Sequence, residues 1–195
     1  MSCRVRCTSA RPLSSLLLSC PAALSRGDVA AIKATLEEIT AAFTDFQLWF
    51  AQVNKMVDVD IFYDVYRPLL GGFWPDGVRL HGVLDQDGRD RVVKAKGPSA
   101  GQSTVFILVD LLLGVVHQAS MNTFQQDMLE YMPPKHRNAV TFLRREVDKS
   151  GTVADFVKLS SEPNLREEFQ RAIGALQGFR RLHLTIATKY LQRTS

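Results

Sequence analysis

The residues best suited to chemistry in this 195-residue chain lie near its end, in Phe179-Arg180-Arg181-Leu182-His183-Leu184-Thr185-Ile186-Ala187-Thr188-Lys189-Tyr190. Phe169, Ala172, Leu176, Phe179, His183, Ile186, Ala187 and Tyr190 recur every three or four residues, the spacing of one helix face. That spacing sets His183 in the middle of an inward stripe, with Arg180 one turn before it. An imidazole facing a core needs a hydrogen-bond partner, a charge partner or a metal. A hydrogen-bonded core histidine meets the need. So does an axial ligand to haem iron, beside which an arginine can pair with a propionate.

A second charge is placed to join this pair. Val105–Val116 is apolar on every face except at Asp110, so it reads as a buried central helix. It falls short of the ~18–20 apolar residues that span a bilayer. A buried carboxylate calls for a cation, and Arg180 is the candidate.

The remaining elements are also helical. Val29, Ile32, Leu36, Ile39, Phe43, Phe46, Phe50 and Val53 predict a long amphipathic helix with Asp28 as its N-cap. Asp58 or Asp60 caps a shorter helix over Ile61–Leu70, disturbed by Pro68 and ended by Gly71-Gly72. Residues 73–98 form the long irregular stretch, with a hairpin expected around Asp87-Gly88. Further helices are expected from Ser120 to Tyr131, over Lys135–Val147 behind Pro133-Pro134, and over Val153–Leu159. Asn164 with Glu167 has the spacing of a capping box at the start of the last helix. The fold class is all-α.

Charge and cysteine divide the chain near Gly27-Asp28. Residues 1–27 hold Arg4, Arg6, Arg11 and Arg26 and no acid, which accounts for the whole net charge of +4. The remainder is balanced, so no nucleic-acid footprint is expected, and no membrane span is found. Cys3, Cys7 and Cys20 also lie in that first segment, leaving the body without a disulfide framework or thiolate metal site. The segment has three readings: an organelle presequence, a weak secretory signal, or unrelated sequence joined to a truncated domain. All three place it outside the folded core, and the last is preferred. His136 reads as structural, His81 and His117 as surface or packing residues, and Arg144-Arg145 as a solvated helix face.

Four strings carry a family likeness: Phe62-Tyr63-Asp64-Val65-Tyr66-Arg67; Ser99-Ala100-Gly101-Gln102-Ser103 running into Asp110-Leu111-Leu112-Leu113-Gly114; Tyr131-Met132-Pro133-Pro134-Lys135-His136-Arg137-Asn138; and Arg180 to Tyr190. With them the body, from about Asp28 to Gln192, resembles the indoleamine 2,3-dioxygenases, haem enzymes that open the indole ring of tryptophan. The resemblance implies a partial all-helical haem domain over residues 28–195 and haem b as cofactor. It implies L-tryptophan or a related indoleamine as substrate, dioxygen as co-substrate and a cytoplasmic monomer, with a mitochondrial alternative if residues 1–26 act as a presequence. It makes His183 the proximal iron ligand and sets Arg180 and Asp110 near a propionate. Phe62 and Arg67 then lie beside bound tryptophan, ring on indole and guanidinium on carboxylate. Ser99, Ala100 and Gly101 belong to the loop over the distal haem face.

Two departures qualify that likeness. Family members carry a further N-terminal domain and a C-terminal loop with no counterpart here, so a half-built substrate pocket in a fragment is expected. Tyr63 stands where many members have phenylalanine. The competing functions are a non-catalytic haem or oxygen-binding protein and a haem-free pseudo-enzyme fragment.

Overall fold

Asp28 opens the long second helix by accepting a hydrogen bond from the Ala31 N–H at 3.1 Å, the N-cap its side chain is suited to make. The computed structural model describes residues 10–70, 76–93 and 103–191. They fall into two compact units, residues up to Gln52 with Gly101–Leu184, and Val53–Ala100 with Thr185 onward.

In the first unit, α1 (Ala10–Arg26) and α2 (Val29–Phe50) form a helical hairpin. Gly27 turns it at φ 66°, while the Asp28 N–H reaches back to the Ala23 carbonyl at 2.9 Å. Ile32, Leu36, Ile39 and Phe43 of α2 are wholly buried. So are Leu13, Leu17, Cys20 and Leu24 of α1, or nearly so. The expectation that residues 1–27 stand outside the folded core therefore fails for residues 10–26. Leu13, Leu17, Cys20 and Leu24 recur at helical spacing within a stretch whose arginines, serines and leucines have the composition of a targeting signal. Each buried leucine contributes about 1.5–3 kcal/mol, which favours packing over solvation.

Against that hairpin lies α6 (Thr104–Leu113), with Ile107, Leu108, Val109, Asp110, Leu112 and Leu113 all buried, the central helix expected. It stops at Gly114, left-handed at φ 77°. A Cβ there would come within 2.8 Å of the Thr152 hydroxyl, so both backbone and space call for glycine. Then follow α7 (Ala119–Leu129), α8 (Pro134–Ser150), α9 (Val153–Leu159) and α10 (Leu165–Leu191). Pro134 occupies the first turn of α8, where its missing N–H is no loss. A reciprocal Thr152–Asp155 capping box starts α9.

Two start signals read from sequence shift. The N-cap of α7 is Gln118, so Ser120 lies inside the helix. Asn164 takes φ 64° rather than an extended cap conformation, and Glu167 pairs with Arg171 at 3.0 Å instead of closing a box.

In the second unit, Asp58 accepts from the Asp60 and Ile61 N–H groups at 3.0 and 2.9 Å and starts α4 (Val59–Ile61) behind the short α3 (Val53–Met56). A π-helical turn follows over Phe62–Tyr66, then α5 (Arg67–Leu70). The wider turn ends just before Pro68, whose ring would crowd the carbonyl four residues back in an α-helix. Strands β1 (Val78–Leu84) and β2 (Asp90–Val93) form an exposed antiparallel hairpin around the predicted Asp87-Gly88 turn. It is the one departure from an all-α fold among the described residues. Gly71-Gly72 lies outside them. No described helix is long and apolar enough to cross a membrane.

Burial pushes the Cys20 thiol up to about 11 from its ordinary 9.0, with a hydrogen bond to Thr35 pulling partly the other way. Folded protein therefore keeps this proton at a pH where unfolded chain loses it. The contribution to stability is complete below pH 9 and is lost as pH rises towards 11. Urea denaturation at stepped alkaline pH should show wild type losing about 2–3 kcal/mol more than Cys20→Ala over that interval.

Candidate functional site

The first unit gathers its chemistry on α6 and α10. The Asp110 side chain is 6% exposed, and Arg180 Nη2 donates to its Oδ1 and Oδ2 at 2.5 and 2.6 Å. The pair expected from sequence is thus formed between two helices 70 residues apart in the chain. A third residue joins it. His117 Nε2 lies 2.8 Å from Asp110 Oδ2 and donates to it, because the carboxylate can only accept. The sequence suggests only a surface or packing role for His117, and the structure gives it a partner. Its signal is geometric: the Gly114 turn sends the chain back over the end of α6, with the Val115 N–H on the Asp110 carbonyl at 2.9 Å.

Beside this triad runs a column of rings. Phe43, Phe46 and Phe50 of α2 meet Phe179 of α10 at centroid distances of 6.0, 6.1 and 5.6 Å. Phe106 of α6 stacks on Phe179 at 5.3 Å and 26°. His183 extends the column, stacked at 27° on Phe50 at 5.5 Å and at 26° on Phe179 at 6.3 Å. Gln47 fixes α2 to α10 by donating to the Ala175 carbonyl at 3.2 Å.

His183 itself is exposed, which corrects its placement in an inward stripe. The stripe is real, since Ala172, Leu176, Ile186 and Tyr190 are buried. However, α2 ends at Phe50, so beyond the rings of Phe50 and Phe179 the imidazole is left open to solvent. Neither of its nitrogens has a polar partner among the described residues. A lone imidazole with a free nitrogen can ligate a metal that brings further ligands of its own, as a porphyrin iron does. Arg180 keeps Nη1 and Nε uncommitted among the described residues, and its side chain is 37% exposed, so it can meet an anion.

The second unit brings together Phe62 and Arg67. The guanidinium of Arg67 lies 4.4 Å from the Tyr63 ring centroid, a cation–π contact that orients an otherwise exposed side chain. The Phe62 ring meets Tyr190 edge-on at 5.3 Å and Tyr66 face-on at 6.3 Å. Tyr190 is buried and its hydroxyl lies 3.1 and 2.8 Å from the Val53 and Val57 carbonyls, anchoring the segment that leads into the π-turn. Ser99, Ala100 and Gly101 lie outside the described residues.

The family model for indoleamine 2,3-dioxygenase matches residues 1–195, so the likeness takes in the first 27 residues that composition sets apart. Indoleamine 2,3-dioxygenase 1 of Rattus norvegicus is 32% identical over 191 residues, covering 96% of this chain and 46% of the relative. Myoglobin of Haliotis diversicolor is 32% identical over 169 residues, 86% of this chain and 44% of the relative. The 6-hydroxytryptophan 2,3-dioxygenase fscD of Fusarium equiseti is 28% identical over 188 residues, 92% of this chain and 44% of the relative. The chain spans about half the length of the curated relatives it matches.

Packing in the ring column separates support from chemistry. Phe179→Ala should lower stability by about 3 kcal/mol, the usual loss for a ring removed from a packed cluster. His183→Ala should change it by less than about 1 kcal/mol, as at exposed positions. Urea unfolding of the chain measures both.

Proposed function

The chain belongs to the indoleamine 2,3-dioxygenase family, and from that membership we propose that it binds haem b through His183 and acts in opening the indole ring of L-tryptophan or a related indoleamine. The observation that carries the reading is the free, exposed imidazole of His183, three residues beyond an arginine already fixed by a buried carboxylate. The donor set fits the group. One imidazole is what iron in a porphyrin requires from a protein of this type, and Arg180 has nitrogens left for a propionate.

When bound, ferrous haem supplies the oxygen activation that inserts both atoms of dioxygen across the indole C2–C3 bond, giving N-formylkynurenine. The protein's own residues do the rest. Phe50 and Phe179 hold the plane of the His183 ring, which sets the direction of its free nitrogen. Asp110 keeps Arg180 from swinging. In the second unit, Phe62 offers a ring to the indole and Arg67 a guanidinium to the substrate carboxylate. Tyr63 restrains that guanidinium from below. Ser99, Ala100 and Gly101 take the distal-loop role on the strength of the family likeness, their small size letting backbone approach the oxygen site.

A second reading, a haem or oxygen-binding protein without turnover, is favoured by the similarity to an abalone protein named myoglobin. The two differ in their need for Arg67. Haem titration followed by Soret absorbance should give a one-to-one complex with a histidine-ligated spectrum, lost in His183→Ala. Tryptophan should then perturb that spectrum in wild type and not in Arg67→Ala if the chain is a dioxygenase. A haem complex indifferent to tryptophan supports the carrier reading. Uptake that survives His183→Ala overturns both.

A further inference from the structure

We propose that His117 is a positioning residue for Arg180, holding Asp110 so that the guanidinium stays directed at an anionic group of the bound cofactor, a haem propionate. The proposal rests on the haem reading above and adds a residue that the family likeness does not single out.

The geometry of the carboxylate gives the reason. Both contacts from Arg180 come from one nitrogen, Nη2. A fork of two parallel N–H bonds would fix the carboxylate plane, whereas a single shared nitrogen leaves it free to rotate about the Cβ–Cγ bond. The bond from His117 Nε2 to Oδ2 arrives from a different element, the loop behind Gly114, and removes that freedom. Outer partners of this kind orient a group that touches the cofactor without touching it themselves.

Location makes His117 hard to replace by chance. Asp110 and His117 both line a pocket of about 390 Å³, together with Ile107, Leu111, Val115 and Arg144. The His117 side chain is 20% exposed and covers Oδ2 on that side. With the imidazole removed, exchangeable water would take its place on Oδ2, and a mobile water cannot hold the carboxylate plane. The loop itself is kept in place independently, by the Gly114 turn and the Val115 N–H on the Asp110 carbonyl. Loss of the imidazole therefore changes the carboxylate more than the backbone.

The test titrates haem b and its dimethyl ester, which has no free propionate, into wild type, His117→Ala and His117→Gln. Dissociation constants are read from Soret absorbance, and all three haem-free chains are compared by urea midpoint. His117→Ala should weaken haem b by about tenfold, the lower range for an outer-partner loss, and the ester by less than about twofold. His117→Gln, whose amide can donate to Oδ2, should recover most of the affinity for haem b. Equal weakening for both ligands marks a merely structural role and overturns the proposal, as does unchanged haem b affinity in His117→Ala. Either result leaves the haem reading standing. If wild type takes up haem b no more tightly than His183→Ala does, the haem reading fails and this proposal falls with it.

Discussion

A carboxylate taken out of water must be answered, and Asp110 is where this structure answers it. Beyond its first residue the helix that carries it is otherwise apolar, so its burial in the core drags the charge inside. Desolvating an unpaired carboxylate is costly enough to forbid that arrangement. The contact with Arg180 permits it, and in doing so fixes the register of α10 against α6. Because Arg180 and His183 lie three residues apart on one helix, that register also sets where the imidazole emerges. Removing Arg180 leaves the buried Asp110 carboxylate with His117 alone, so the pair sets which helices may meet as much as it stabilises them.

Much of this was legible in the sequence because the cues were local and periodic. A single acid in an apolar run asks for a partner, and the sequence itself singles out Arg180. The helices over Val29–Phe50, Thr104–Leu113 and Val153–Leu159 follow from spacing and caps. What escaped was of another kind. His117 acts through a left-handed turn that returns the chain on itself, which no periodicity records. Periodicity also assigned His183 to the correct face while saying nothing about what covers that face; α2 ends at Phe50, and the imidazole is left open. Over residues 10–26 the arginine, serine and leucine content points away from a core, whereas Leu13, Leu17, Cys20 and Leu24 carry a core-facing spacing, and the structure follows the spacing. The distal-loop residues Ser99, Ala100 and Gly101 rest on the family likeness alone.

The residues proposed for cofactor and for substrate fall in different units. The first holds an imidazole without a polar partner among the described residues, a ring column that sets its plane, and an arginine with nitrogens uncommitted among those residues. The second holds a guanidinium braced on a tyrosine ring and a phenylalanine packed at a π-turn. Wider turns of this type are frequent at functional sites. The anchoring of Tyr190 on the Val53 and Val57 carbonyls means that the end of α10 also organises the segment bearing Phe62.

A double-mutant cycle across Asp110 and Arg180 tests the central claim most directly. Unfolding free energies of wild type, Asp110→Asn, Arg180→Gln and the double variant give the coupling between the two side chains. A coupling of about 2 kcal/mol, with the double variant no worse than Asp110→Asn alone, is the predicted result. Additivity within about 0.5 kcal/mol would mean that the two helices keep their register without the pair, and would contradict the account.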